Sequence, residues 1–145
     1  VTETVTAKRE RKYQRAKLRK VDMQRFNAWD SDQRMAITAD CAYAAVAELF
    51  SWLPADQIRK PPASLFDAKL ARQMATHIMA EALDMPRRQI GRLQGRQRTH
   101  IHLSLHAIER RLEETHFAIA YQGVADRALS MLKERFGEDA VRGCY

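Results

Sequence analysis

The residues best suited to chemistry form one run, Arg96-Gln97-Arg98-Thr99-His100, just before a segment of helical periodicity. These types at this spacing recognise rather than react. An arginine presents a fork of donors that matches the paired acceptors of guanine. A glutamine donates to and accepts from adenine, and a threonine hydrogen-bonds or touches the thymine methyl. A helix start adds free backbone N–H groups and the positive end of the dipole, which suit a nearby phosphate. Arg87, Arg88 and Arg92 lie just upstream, where they would grip the flanking backbone. The partner this implies is double-stranded DNA.

Other chemistry finds less support. His100, His102 and His106 suggest a metal-dependent hydrolase, and His102 and His106 share a helix face. His100, however, lies about 200° around the helix from His102, and no carboxylate or thiolate completes a ligand set. No nucleophile and base stand in a recognisable arrangement, so no enzyme, metal or cofactor is expected. Cys41 and Cys144 lie far apart without short-spaced partners and build neither a disulfide framework nor a zinc site, as suits a reducing compartment. Trp29 and Trp52, with Tyr43 and Phe50, have the ring types that stack on single-stranded bases, but are expected to pack in the core or anchor the N-terminal arm.

The chain has 145 residues, 46% hydrophobic and 30% charged, a size that suits one domain. Five glycines and four prolines are too few for a turn-rich β fold, so an all-α fold is expected. The longest run without a charge, residues 115–125, falls short of the roughly 18 residues of a membrane span. Val1 to Thr6 shows no apolar signal core. The expected location is the cytoplasm, on the nucleoid. The net charge of +7 is concentrated in two islands: residues 1–25 carry 9 basic and 3 acidic side chains, and residues 86–111 carry 7 and 1. The segments between and after them are mildly acidic, an asymmetry that points to a polyanion. The first island, with Lys8, Arg9, Arg11, Lys12, Arg15, Lys17, Arg19 and Lys20, holds too few apolar residues to bury a face. It reads as a flexible arm making sequence-blind phosphate contacts, ahead of a single helical domain over residues 26–145.

Apolar residues place the elements. Met35, Ala39, Ala42, Val46, Leu49, Phe50 and Leu53 recur at helical steps over residues 31–52, and Pro54 stops them. Residues 54–58 suit a short helical turn before Pro61-Pro62 forces an extended connector. Phe66, Leu70, Met74, Ile78 and Ala82 mark a core helix over residues 65–83. Asp84 is placed to cap the next, short helix, residues 87–93, with Pro86 in its first turn. Gly95 supplies the positive φ of a tight corner. Ile101, Leu105, Ile108 and Leu112 then form the buried stripe of a helix over residues 97–115, leaving the recognition residues at its outer entrance. A last helix, residues 117–136, is expected to pack Ile119, Val124, Ala128, Met131 and Leu132. The pair of helices over residues 86–115 is a helix-turn-helix candidate.

The run Arg72-Gln73-Met74-Ala75 through Leu83-Asp84-Met85-Pro86-Arg87-Arg88-Gln89-Ile90-Gly91 resembles, without a gap, the "RQ-A … L-P-x-I-G" run of the C-terminal DNA-binding domain of the DnaA replication-initiator family. Gly95-Arg96-Gln97-Arg98-Thr99-His100-Ile101 resembles that family's "G-R-D-H-T-T-V" signature. The likeness covers about residues 38–114. It implies a DnaA-domain-IV-like, Trp-repressor-like helix-turn-helix bundle, with Gln97, Arg98, Thr99 and His100 reading bases in the major groove and Arg96 on the backbone or groove edge. The family's basic loop, which places an arginine in the minor groove, corresponds to residues 58–64, where Arg59 or Lys60 would take that part. Gln97 and Arg98 replace the family's Asp-His pair, which implies a different preferred sequence, and the turn before Arg96 is one residue shorter. These residues hold no glycine-rich phosphate loop and leave no room for the family's ATPase domain, so no bound nucleotide is expected. The chain also resembles the stand-alone DNA-binding portions of DnaA-like gene-transfer-agent activators, which implies promoter binding with RNA polymerase, a separate activator protein, or both as partners. The alternative is an interaction module or replication-control factor that docks on replication or transcription machinery. Deleting residues 1–20 is expected to weaken binding to every duplex and to flatten its salt dependence, measured by titration over a range of salt concentrations.

Overall fold

The computed structural model describes residues 31–137, whose regular structure is entirely helical. The basic arm of residues 1–25, Trp29 and Cys144 lie outside the described residues. Six α-helices follow one another: α1 (Ser31–Leu49), α2 (Ala55–Arg59), α3 (Phe66–His77), α4 (Arg87–Gln94), α5 (Arg98–Arg111) and α6 (Thr115–Phe136). A five-residue π-helical stretch, Ile78–Ala82, extends α3. No helix among the described residues is long and apolar enough to cross a membrane.

α1 and α6 run antiparallel against each other. At one end the Arg34 guanidinium lies 5.6 Å from the Phe136 ring centroid, and at the other Arg127 Nε donates to both carboxylate oxygens of Glu48 at 3.2 and 3.3 Å. α3 crosses between α1 and α5, and its contact face is built of Ala71, Met74, Ala75 and Ile78. The alanines of α3, with Ala39, Ala42 and Ala45 of α1, keep side-chain bulk low where these helices meet. Ile101, Leu105 and Ile108 enter from α5, and Tyr121, Val124, Ala128 and Leu132 from α6.

Several expectations are corrected. Phe66 is 64% exposed and Ile119 is 68% exposed. A four-residue step turns a helix about 400°, so positions 66, 70, 74, 78 and 82 drift about 40° at each step and cannot all share one face. The buried side of α3 instead passes through Ala68, Ala71, Met74 and Ala75. Ile119 stands about 140° around α6 from buried Val124. Tyr43 and Phe50 are buried as expected, but Trp52 is 63% exposed beside Phe50, and Leu49 is exposed where α1 ends.

The helix ends also differ from expectation. α5 stops at Arg111 and α6 begins at Thr115 because the Glu114 carboxylate accepts from the backbone N–H of His116 at 3.1 Å and of Phe117 at 2.7 Å. These bonds hold its pKa below the usual carboxylate value. Asp84 does not cap α4. A capping side chain must stand directly before the first helical residue, and Pro86 occupies that place. Asp84 is instead buried at φ +52°, closing the π-helical stretch, after which Met85 N–H donates to the Met79 carbonyl at 2.8 Å.

The burial pattern sets a stability contrast. Ile108→Ala is expected to cost about 2–5 kcal/mol. Ile119→Ala should stay within about 0.5 kcal/mol of the wild type, as for other surface changes. Urea unfolding of the two variants measures the difference.

Candidate nucleic-acid interface

α4 ends in a turn that fixes where α5 starts. Gly95 adopts φ +62°, and the Arg96 N–H donates back to the Gly91 carbonyl at 2.9 Å, a Schellman closure of α4. Gly91 is buried in this corner, and a Cβ there would sit 2.9 Å from the Arg96 carbonyl oxygen. Only a hydrogen at that position lets the turn fold this tightly onto α4.

Side chains then lock the corner to the rest of the molecule. The Gln94 amide nitrogen donates to Tyr43 Oη at 3.0 Å and to Thr76 Oγ1 at 2.9 Å, while its carbonyl oxygen accepts from Arg96 Nη1 at 3.0 Å. Arg96 Nη2 donates to Ser104 Oγ, buried in α5, at 3.3 Å. Thr76 in turn donates to the Arg72 carbonyl at 2.8 Å. One carboxamide thus joins α1, α3, α4 and, through Arg96, α5.

The expected recognition residues fall where the periodicity places them. Ile101, Leu105 and Ile108 are buried, while Gln97, Arg98, Thr99 and His100 are exposed at the start of α5. Gln97 is the N-cap but makes no side-chain cap bond, so its amide is not spent on the helix start. Arg98 and Arg88 are exposed and make no hydrogen bond or ion pair within the described residues. No acidic residue occurs between Asp84 and Glu109.

The remaining expected contacts differ in how freely they are offered. Arg92 is exposed and only loosely paired with Asp32, at 3.8 Å. Lys60 is exposed after α2. Arg59 is engaged: it donates to Asp40 at 2.6 Å and lies 4.3 Å from the Tyr43 ring centroid. Arg87 spans from Glu81, at 3.6 Å, to His102 Nδ1, at 3.3 Å. Desolvation first, then Arg87, Arg98 and His106, lower the His102 pKa, so its ring is neutral at pH 7 and accepts from Arg87. Arg96 serves the corner described above.

Arg72 escapes the pattern reading. It is half-buried close to Arg96 and Tyr43, and its guanidinium makes no hydrogen bond or ion pair within the described residues. Burial lowers the pKa of both arginines, and repulsion from Arg72 lowers that of Arg96 further. Two partly desolvated cations without a carboxylate form a place where an anion would relieve the repulsion. Its signal in the sequence was the Arg72-Gln73 start of the resembling run. Nothing in the sequence points to Gln94, whose partner Tyr43 is 51 residues away. No group of three possible metal ligands occurs among the described residues. No family model, curated protein or solved structure matches the chain.

Gln94→Ala is expected to lower stability by about 1–3 kcal/mol, since it strips partly buried partners of their bonds. It should also shift the backbone amide resonances of residues 97–99. Thermal unfolding and an amide correlation spectrum read the two effects separately.

Proposed function

We propose that this chain is a sequence-specific duplex-DNA-binding domain of the DnaA-type helix-turn-helix class and that it acts as a transcription regulator at promoters. The observation that carries this reading is the first turn of α5, where Gln97, Arg98, Thr99 and His100 are exposed at the entrance of a helix that Ile101, Leu105 and Ile108 seat in the core. α5 enters the major groove with these four side chains toward base edges. The free amides of its first turn, together with Arg88, Arg92 and the Arg72–Arg96 pair, meet phosphates on either side. Lys60 lies along the backbone, and the basic arm adds contacts that do not depend on sequence. In this reading activation of transcription proceeds through RNA polymerase, a separate activator protein, or both.

Binding sites are to be selected from a random duplex pool with the full chain. On the selected site, Arg98→Ala is expected to lose about 1–3 kcal/mol of discrimination at one or two base pairs. Arg88→Ala should weaken binding to selected and random duplexes alike. Equal losses on both duplexes for Arg98→Ala would remove its base-reading role, and failure to enrich any sequence would remove the sequence-specific reading altogether.

A further inference from the structure

α5 carries a leucine on the side that faces away from the core. Leu103 is 62% exposed. At about 100° per residue it stands about 200° from both Ile101 and Leu105 and about 140° from Ile108, the three residues that seat the helix. It stands only about 40° from Thr99 and about 6 Å further along the axis, one turn deeper on the same face. A lone exposed leucine on most surfaces needs no explanation. Here the surroundings give it meaning. His100, His106 and Arg110 are exposed around it, and the nearest other apolar side chain on this face is the small Ala107. The acid closest in sequence, Glu109, lies about 120° away around the helix and is drawn toward His77 and His106, at 4.0 and 3.6 Å. The face is polar, with one arginine and with one apolar knob at its centre.

We propose that Leu103 is a specificity-determining residue that packs on the 5-methyl group of a thymine one turn inward from the base pair met by Thr99. This rests on the duplex-DNA reading above. The thymine methyl is the apolar group displayed on the major-groove floor, and a leucine neither donates nor accepts a hydrogen bond. The knob is too small and too closely ringed by polar side chains to seat a protein's apolar surface, whereas a segment with Arg98 and Arg110 and no acid between Asp84 and Glu109 complements a polyanion.

The test uses the selected duplex and replaces its thymines one at a time by deoxyuridine, which removes only the methyl. With the wild-type chain, one such replacement in the selected site should weaken binding about fourfold, the equivalent of about 0.8 kcal/mol for one buried methyl-sized group. Leu103→Ala should bind the unmodified site more weakly by a similar factor. It should also no longer distinguish thymine from deoxyuridine at that position, while its response at the other thymines is unchanged. Because Leu103 is exposed, its thermal unfolding should match the wild type. Selective binding with the same deoxyuridine profile in both proteins, or with no sensitive thymine, overturns the role of Leu103 alone. Absence of any selective binding overturns the underlying reading and this role with it.

Discussion

The Gln94 carboxamide is the constraint on which the candidate surface depends. It uses both of its functional atoms at once, toward Tyr43 and Thr76 on one side and Arg96 on the other. The group is partly buried, so each lost partner would leave a polar atom with poorer solvation than in water. That penalty holds the end of α4 against α1 and α3 at one position. Arg96 transmits the position to Ser104, and the first turn of α5 follows. Recognition of base edges requires side chains placed to within a fraction of an ångström, and a network joining four helices is a stiffer support than the turn alone.

The second constraint is steric. Gly91 allows the Arg96 carbonyl to approach α4, and Gly95 reverses the chain at a positive φ. Hydrophobic burial then sets the rotation of α5 about its own axis: Ile101, Leu105 and Ile108 turn inward, so Thr99 and Leu103 turn outward, while Gln97, Arg98 and His100 are exposed by their place at the helix start. Exposure of this candidate surface is a consequence of seating the core.

The arginines of this region divide by their local company. Arg98 and Arg88 are exposed and make no hydrogen bond or ion pair among the described residues, Arg59 and Arg87 are tied to acids and rings, and Arg96 is part of the scaffold. Net charge alone treats all five as equal. A guanidinium already bonded to a carboxylate must give up that bond to meet a phosphate, so the contribution of each to binding follows its environment more than its sequence position.

Much of this was legible in the chain itself. The four- and three-residue steps of Ile101, Leu105 and Ile108, Gly95 as the corner, the prolines that bound α2 and the all-helical character follow from periodicity and from the backbone limits of two residue types, which act locally. The same reasoning misplaced Phe66 and Ile119, because a strict four-residue repeat drifts around a helix and only the packed neighbours decide which residues along the drift are covered. It also assigned a cap to Asp84, which the π-helical stretch buries instead. The hub at Gln94, the closeness of Arg72 to Arg96 and the commitment of Arg59 to Asp40 and Tyr43 lay beyond it. Those contacts join residues that are distant along the chain, and a polar side chain's partner is fixed only when packing has brought the helices together.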